Sequence, residues 1–362
     1  MKTKRILYLV PHRKGRSPGQ RFRCEHFIPY LEGEGYKITY SNILSQWDDK
    51  YFYSFGNYGI KFFIVFKSFL KRLFDVCRAK NYDAVFIYRE AFMMGTTIIE
   101  RLISWQKVPI IFDFDDSIWL NDTSAGNMSV RWLKKPQKTA DICSLSHTVI
   151  VGNQYLSEYA SQFNSNIVIV PTTIDTTYHK VSKEPLKFNS RTLTIGWTGT
   201  ETTIKHLATL SDVLKTLKSQ YGEKINFMVI ADVAPQIKGV DIEFIKWSQS
   251  SEIDQLLTFD IGIMPLPDDQ WTRGKCGFKG LQYMALGIPA VMSSVGVNTE
   301  IIQHGVNGML ANSDEEWIDS LSQLVENESL RNQLGAQGRI TVEGRYSVTA
   351  NVSLYRSIFQ DL

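Results

Sequence analysis

The sequence predicts an α/β protein made of two doubly wound, Rossmann-like domains, and three observations support this prediction. Short, continuous apolar runs alternate with segments of helical periodicity, which is typical of parallel strands buried on both faces. The 362 residues exceed what a single hydrophobic core normally serves. A polar segment, residues 171–191, divides the apolar runs into two sets. We therefore expect two domains facing a cleft, with ligands at the carboxyl ends of the strands.

Each apolar run is predicted to form one strand. In the first half the predicted strands are 5–10, 37–40, 84–88, 109–114, 148–151 and 167–170. In the second half they are 193–197, 225–231, 242–245, 261–266 and 289–294. The predicted organisation is an N-terminal domain over 1–172, a linker over 173–190, a C-terminal domain over 191–345, and a final helix over 346–362 that crosses back to the first domain.

The charge is distributed unevenly. Residues 1–172 contain 23 Lys and Arg against 15 Asp and Glu, a net charge of +8. The remaining residues have a net charge of −5, which gives +3 for the whole sequence. A basic first half favours anionic partners such as phospholipid or pyrophosphate. The sequence contains no recognised nucleic-acid-binding motif, so we expect no nucleic-acid partner.

The cysteines and the apolar segments predict a cytoplasmic protein, located in solution or at the inner face of the membrane. Cys24, Cys77, Cys143 and Cys276 lie far apart, which favours neither a disulfide framework nor a zinc site. The apolar run near the start has only about five residues, too few for a signal peptide. No stretch approaches the roughly 20 apolar residues that cross a bilayer.

A glycine-containing turn opens the second half. The strand LTIGW leads through Gly199 and Thr200 into a predicted helix that carries Lys205 on its first turns. The inward stripe of this helix consists of Leu207, Leu210, Leu214 and Leu217. Glycine lets the backbone approach a ligand, and a helix start offers N–H groups to phosphate. The alternative is a glycine turn that binds nothing.

A second anion-binding pattern follows strand 261–266. The polar loop after this strand carries Lys275 and Lys279, and the helix FKGLQYMAL then begins. Two lysines at a helix start oppose the helix dipole, and a bound anion would resolve that conflict. The alternative is a solvated helix start. After the next strand, a further helix opens around Asn298 and includes Glu300.

Acidic and basic residues end two strands of the first half. Strand 109–114 runs into Asp113, Asp115 and Asp116, and Tyr88-Arg89-Glu90 ends the strand before it. A carboxylate at such an end could accept a proton from a substrate hydroxyl or orient it. We also weigh a hard-cation site at the three aspartates, which we disfavour, and a capping role for at least one of them.

The loop after the first strand is rich in arginine. In the following predicted helix, Arg21 falls on the same face as Cys24, Phe27, Ile28 and Leu31, where it could hold a phosphate. The remaining basic residues of this region are expected to be solvated, namely Arg13, Lys14, Arg16 and Arg23. His12 is the histidine that we place near the ligand-binding edge.

Residues 51–80 are unusually aromatic and basic. At helical spacing, one apolar arc contains Phe62, Phe63, Phe66, Phe69, Leu70, Leu73 and Phe74, and the opposite side contains Lys67, Lys71, Asp75 and Arg78. One interpretation is a helix packed on the sheet of the first domain. The other is an interfacial helix on an anionic membrane.

The order of elements over residues 260–311 resembles the carboxy-terminal signature of family 4 glycosyltransferases, which have the GT-B fold. The resemblance covers residues 190–345 well and residues 1–172 more weakly. It implies transfer of a sugar, with retention, from a nucleotide-diphosphate donor to a saccharide or lipid-linked acceptor. The expected context is cell-surface polysaccharide or glycolipid synthesis, with no cofactor and no required metal.

The resemblance and the patterns above together give the expected site. The donor-binding residues are Gly199, Thr200, Lys205, Trp247, Lys275, Lys279, Gln282 and Glu300. The acceptor-binding residues are Arg21, Arg89 and Glu90, and the catalytic residues are Asp113, Asp115 and Asp116. By resemblance Trp247 stacks on the nucleotide base; the alternative is ordinary packing.

The sequence departs from the family pattern at three positions. Many members carry an arginine where this chain has Thr200, and two glutamates where it has Gly274 and Gln282. Lys275 and Lys279 could replace the missing positive charge. These departures leave two alternatives open, a non-catalytic binding or partner subunit and a sugar-nucleotide epimerase.

Overall fold

The structure is a computed structural model that describes residues 3–120, 135–180, 192–360 and 362. Two compact units are present: Met1–Thr173 together with Asn351–Leu362, and Ile174–Ala350. Most of the predicted linker, residues 181–190, lies outside the described residues.

The described part of the first unit contains one sheet of six parallel strands. The strands are β1 (Arg5–Val10), β2 (Lys37–Asn42), β3 (Ala84–Tyr88), β4 (Ile110–Phe114), β5 (Thr148–Val151) and β6 (Ile167–Ile169). Their order is β2-β1-β3-β4-β5-β6, and every pairing between them is parallel. The central strands β3 and β4 are buried throughout, as their continuous apolar sequence predicts.

Seven helices of the described first unit connect these strands. They are α1 (Pro18–Arg23), α2 (Ile28–Gly33), α3 (Gln46–Phe52), α4 (Tyr58–Ala79), α5 (Ile98–Trp105), α6 (Gln137–Leu145) and α7 (Gln154–Ala160). The prediction of a single helix around Arg21 is wrong. The first helix ends before Cys24, and a 3-10 turn, Glu25–Phe27, separates it from α2. Cys24, Phe27, Ile28 and Leu31 are nevertheless all buried.

The second unit contains another sheet of six parallel strands among its described residues. The strands are β7 (Leu193–Thr198), β8 (Ile225–Ala231), β9 (Glu243–Lys246), β10 (Ile261–Met264), β11 (Ala290–Ser293) and β12 (Met309–Ala311). Their order is β12-β11-β10-β7-β8-β9, again with parallel pairing. Strand β12 was not predicted, because three residues are too few for a periodic signal. The two sheets confirm the predicted α/β class, and the eleven predicted strands are all present.

The helices of the second unit are α8 (Ile204–Ala208), α9 (Ser211–Tyr221), α10 (Glu252–Leu256), α11 (Gln270–Arg273), α12 (Phe278–Ala285), α13 (Asn298–Ile301), α14 (Asp314–Glu326) and α15 (Glu328–Thr341). Short turns of other helical types are Glu201–Thr203, Gly222–Lys224 and Val342–Tyr346. The predicted continuous helix with four inward leucines is divided into α8 and α9, although the leucines are all buried. The last helix, α16 (Val348–Gln360), starts in the second unit, and its residues from Asn351 onward belong to the first.

Helix α4 is oriented unexpectedly in the first unit. Its aromatic residues Phe62, Phe66 and Phe74 are exposed, whereas Arg72 and Asp75 are fully buried. The helix packs on the sheet, as one interpretation predicts, but the side that faces the sheet carries Arg72 and Asp75 instead of the apolar arc. Within the described residues, each helix is too short or too polar to span a bilayer.

Candidate functional site

The loop after β7 requires glycine at its first position. A Cβ atom on Gly199 would lie 2.2 Å from the ring of Trp197 and 2.7 Å from the hydroxyl of Thr203. Real Cβ atoms do not approach other atoms so closely, so a larger residue would displace the loop or the buried tryptophan. Glycine is therefore required at position 199 because the backbone there packs closely against Trp197 and Thr203.

One backbone N–H of this loop is already engaged by an acidic side chain. Thr200 precedes the 3-10 turn, and the N–H of Glu201 donates to the Asp232 carboxylate over 2.7 Å. The Asp232 carboxylate thus lies at the start of this turn, where the backbone could otherwise hold a phosphate. An anion at this loop would depend strongly on the nearby lysines.

Lys275 and Lys279 flank the start of α12. Gly277 lies between them with a φ of +67°, and a Cβ there would lie 2.2 Å from Ile301, so glycine is needed to begin the helix. The Lys275 ammonium lies 4.8 Å from the ring centroid of Trp271, and that of Lys279 lies 5.7 Å from the ring centroid of Trp197. Cation–π contacts of this kind orient each lysine along an aromatic surface.

His206 shows that three lysines from separate elements come together. This histidine is buried in α8, and burial lowers its pKa to about 4, with further lowering by Lys205, Lys279 and Lys275 in turn. Asp269, in contrast, raises the pKa of His206. Because like charges repel, a concentration of ammonium groups beside a neutral imidazole favours a bound anion. The structure thus brings together the three lysines that the sequence selected.

Gln282 lies in a buried polar cluster rather than on an open surface. Its amide Nε2 donates to Glu252 over 3.1 Å and lies 3.5 Å from Nε2 of His179. All three side chains are buried. Glu252 was not predicted, because it follows two serines at the start of α10, where a helix cap is the usual interpretation. The carboxylate of Glu252 therefore lies next to the neutral amide of Gln282.

The two other predicted donor residues have different surroundings. Trp247 directly follows β9 and is half-buried, and its backbone N–H donates to the carbonyl of Ala231 over 2.8 Å. This bond ties the tryptophan loop to the end of β8. Glu300 is exposed on α13, and its carbonyl accepts a hydrogen bond from Arg345 over 3.4 Å.

In the first unit, Asp113 forms an enclosed ion pair with Arg23. Two nitrogens of the guanidinium donate to Oδ1 of Asp113, over 3.1 Å and 2.6 Å, and both side chains are completely buried. Burial raises the pKa of Asp113 to about 6, although Arg23 opposes the shift. The prediction that Arg23 is solvated is wrong, because this arginine is the counter-ion of a carboxylate inside the unit.

Arg89 joins the other two predicted catalytic aspartates. Its guanidinium donates to Asp115 over 2.9 Å and to Asp116 over 2.6 Å, and the hydroxyl of Tyr88 donates to Asp115 over 3.0 Å. Burial acts to lower the pKa of Arg89, but Asp115, Tyr88 and Asp116 raise it well above its ordinary value. The residue has a φ of +61°, an uncommon backbone conformation for a side chain of this size.

The remaining acceptor candidates, Glu90 and Arg21, have partners of their own. Glu90 accepts from Lys138 over 2.7 Å, and the same ammonium donates to the carbonyls of Phe92 and Met94. Lys138 was not predicted, since nothing in the sequence of α6 links it to β3. Arg21 is buried against Phe22, with its guanidinium carbon 4.6 Å from the ring centroid.

The arginine loop after β1 is organised by Asp49. Arg13 and Arg16 donate to its carboxylate over 2.7 Å and 3.1 Å, and His12 lies 3.7 Å away. Burial acts to raise the pKa of Asp49, but the three basic groups lower it overall. Arg16 is exposed and Arg13 partly exposed, in agreement with the prediction of solvated side chains, and both also form these ion pairs; Lys14 is exposed as well.

No metal-binding group emerges in the part of the chain that the structure describes. Groups of three or more His, Cys, Asp or Glu side chains with a suitable arrangement are absent among those residues. At the aspartate cluster, Arg89 supplies the positive charge that a cation would otherwise provide.

Two comparisons with known sequences each match part of the chain. Residues 192–327, a little over a third of the chain, match the family described as glycosyl transferases group 1. An N-acetyl-alpha-D-glucosaminyl L-malate synthase of Bacillus anthracis is 32% identical over 84 residues, which make up 23% of this chain and 22% of that protein. The matched segment thus spans about a fifth of the curated relative.

Solved structures resemble almost the whole chain. A glycosyltransferase from Rickettsia africae ESF-5 superimposes with a TM-score of 0.69 at 14% identity, covering 100% of this chain and 99% of that one. Anabaena HepE in complex with UDP and glucose gives a TM-score of 0.63 at 15% identity, covering 99% and 100%. At such identities the likeness establishes the fold alone. The chain therefore has the GT-B fold, and residues 192–327 of its second unit match the group 1 glycosyltransferases.

Proposed function

We propose that the protein is a glycosyltransferase that moves a sugar from a nucleotide-diphosphate donor to an acceptor hydroxyl. The observation that carries this proposal is the approach of Lys205, Lys275 and Lys279 to His206, together with the position of the Lys279 ammonium 5.7 Å from the ring centroid of Trp197 on β7. These lysines lie inside the segment that matches the group 1 glycosyltransferases. Three ammonium groups suit a diphosphate, which carries more than one negative charge.

In the proposed reaction the lysines stabilise the leaving diphosphate. Negative charge grows on the diphosphate as the bond to the sugar breaks, so positive groups fixed near it lower the barrier. Lys275 and Lys279 are held against tryptophan rings, which limits the reorganisation needed during the step. We propose that no metal is required, because the lysines supply the neutralising charge. Retained activity in EDTA would support this, and restoration of lost activity by Mg²⁺ would contradict it.

The first unit is proposed to supply the acceptor contacts. Asp115 is the best candidate to orient or deprotonate the acceptor hydroxyl, because its side chain keeps 10% of its surface exposed whereas that of Asp113 is completely buried. Arg89 would hold the Asp115 carboxylate in place through its hydrogen bond. We assign Asp113 a supporting role through its pair with Arg23, and we propose that the anomeric configuration of the sugar is retained.

The identities of donor and acceptor are proposed from chemistry and likeness. The Anabaena structure holds UDP and glucose, which makes UDP-glucose the first donor to test. A saccharide or lipid-linked acceptor in cell-surface polysaccharide or glycolipid synthesis suits the basic first unit. We also propose a cytoplasmic location with peripheral contact at the inner face of the membrane.

Calorimetric titration with UDP, GDP, ADP, dTDP and CDP tests the donor site directly. We expect micromolar binding of one nucleotide, which then selects the sugar nucleotides for a transfer assay. Binding of none of the five would contradict the proposed transferase. A variant with Lys215→Ala, on the surface of α9, serves as a control for general loss of positive charge.

A non-catalytic nucleotide-binding subunit is the second candidate. Gln282 is the observation that favours it, because this neutral amide is bonded to Glu252 in a buried cluster instead of presenting a carboxylate. Binding of a nucleotide without transfer or hydrolysis, across donors and acceptors, would support this candidate. Turnover of the donor in the absence of any acceptor would instead indicate an epimerase.

A further inference from the structure

Helix α4 presents an apolar face to solvent. We define the aromatic face as Phe62, Phe63, Phe66, Leu70 and Phe74, whose exposed fractions lie between 49% and 74%. At about 100° per residue these five positions fall within an arc of roughly 120°. Phe55 and Tyr58, just before the helix and at its first residue, are exposed as well. A contiguous exposed patch of this kind marks an interaction surface.

The opposite face of α4 fixes this orientation. Arg72 is fully buried and donates to the carbonyls of Val10, Ser41 and Ala91, at the ends of β1 and β2 and just after β3. It also donates to Asp75 over 2.8 Å, and Asp75 accepts from the hydroxyl of Ser41 over 2.7 Å.

Turning the helix to bury the aromatic face would remove these bonds. A buried guanidinium and a buried carboxylate would then lose their partners, at a cost that the added apolar contact does not readily offset. The exposure of the aromatic face is thus a consequence of the packing and not of a loosely attached helix.

A basic edge runs along one side of the aromatic face. Lys67 and Lys71 lie one turn apart there, Arg78 lies two turns further on, and the Arg78 guanidinium lies 5.2 Å from the ring centroid of Phe74. The only acidic residue between positions 58 and 80 is Asp75, which is buried. Lys67 pairs with the buried Asp48 and Arg78 pairs with Asp75, whereas Lys71 donates to the carbonyl of Asn42. The surface that α4 presents is therefore apolar and bordered by basic side chains, with no exposed carboxylate of its own.

We propose that α4 lies in the surface of an anionic lipid bilayer, with the aromatic face inserted among the acyl chains and the basic edge at the headgroups. Charge complementarity favours this occupant, because lipid phosphates match the basic edge. A second copy of the chain is a poorer match. An isologous contact would place the same basic residues near one another, with no acidic residue of the helix to oppose them.

This inference stands on α4 alone and does not depend on the proposed transferase. It deepens that proposal in one respect, since a protein held on a bilayer can reach an acceptor carried by a membrane lipid. A failure of nucleotide binding would leave the membrane inference intact, and a failure of vesicle binding would leave the donor site intact.

Co-sedimentation with vesicles tests the proposal. The full chain is mixed with vesicles of phosphatidylcholine alone, or of phosphatidylcholine containing phosphatidylglycerol. We expect binding to the anionic vesicles, and we expect F62S/F66S/F74S to weaken it by about tenfold or more, because each aromatic side chain loses its apolar contact. Trp105→Ser, which removes an exposed aromatic residue on α5 of the same unit, should leave binding unchanged.

Cys77 allows a second measurement, in which the aromatic face keeps its natural residues. It is exposed near the end of α4, whereas Cys24, Cys143 and Cys276 are buried, so a thiol-reactive fluorophore should label it selectively. Insertion predicts a blue shift of the emission with anionic vesicles. Raising the ionic strength from about 0.1 M to about 1 M shortens the screening length from about 10 Å to about 3 Å and should weaken binding.

Two results would overturn the proposal. One is equal, salt-insensitive binding of the wild type and F62S/F66S/F74S to both kinds of vesicle. The other is a concentration-dependent dimer in light scattering that F62S/F66S/F74S abolishes, together with no vesicle binding by the wild type; that outcome would identify the aromatic face as a contact between two copies.

Discussion

The two units treat their charged side chains differently. In the first unit the candidate residues form pairs of opposite sign, such as Arg23 with Asp113 and Arg89 with Asp115. In the second unit, residues of the same sign gather, since Lys205, Lys275 and Lys279 all lower the pKa of one buried histidine.

This difference distinguishes charges that serve structure from charges that serve binding. A buried ion pair satisfies itself, and breaking it leaves a costly uncompensated charge. The ammonium groups of a lysine cluster repel one another until an anion binds. Binding of the anion relieves this repulsion, which strengthens the affinity for the anion. We therefore expect substitutions at the enclosed Arg23–Asp113 pair to change stability most, and those at the three lysines to change affinity most.

The largest effect is expected at the enclosed pair of the first unit. Arg23→Ala leaves Asp113 buried without its arginine and should lower the free energy of unfolding by about 3–5 kcal/mol. Urea denaturation measures this change. The matched control is Arg101→Ala, which breaks an exposed pair with Asp141 and should cost at most about 1 kcal/mol. Equal losses in the two variants would show that the enclosed pair has no special role.

The next largest effect is expected on turnover. Asp115→Asn keeps the shape of the side chain but removes its basicity, so kcat for transfer should fall by about 10²- to 10⁴-fold while the KM for the donor changes little. Steady-state kinetics with the donor identified by titration provide the measurement. Asp141→Asn, in a surface ion pair of the same unit, should have unchanged kinetics. An unaffected kcat in Asp115→Asn would remove Asp115 from the chemistry.

A smaller effect is expected on donor affinity. Lys279→Ala removes one charged contact to the diphosphate and should raise its Kd by about 10- to 100-fold, which corresponds to roughly 1.5–3 kcal/mol. Calorimetry compares this variant with Lys215→Ala, which should bind as the wild type does. If both variants bound equally well, Lys279 would have no part in the donor site.

The smallest effect concerns the titration of His206. Its pKa of about 4 should rise by roughly one unit when a nucleotide diphosphate binds, because the ligand offsets the three lysines. NMR of the imidazole protons, assigned with a His206→Gln variant, gives the pKa in both states. The depressed value also means that His206 contributes stability above pH 6.5, and that this contribution falls as the pH drops toward 4. A His206 pKa near 6.5 that does not change when the nucleotide binds would show that the three lysines do not lie close to this histidine.

Much of the fold followed from local sequence patterns. Strands such as β3 and β4 are continuous apolar runs, and a run of this kind specifies its own burial on both faces. The three lysines of the second unit were also predictable, because each is near a strand end and the start of a helix in the sequence. Parallel strands bring such positions to one edge of the sheet. Strand β12 and the breaks at Cys24 and between α8 and α9 were missed, because their signals are short and local.

What only the tertiary structure decided is which partner each charged or aromatic residue has. The pairs Arg23–Asp113 and Gln282–Glu252 join residues 90 and 30 positions apart, so no local pattern reports them. For α4, periodicity correctly separated an apolar arc from a polar one but could not tell which arc faces inward. That choice depends on the carbonyls at the ends of neighbouring strands, which bind Arg72 and hold the polar side against the sheet. Sequence determined the elements and the charges; packing over long distances in the chain determined which of those charges are satisfied.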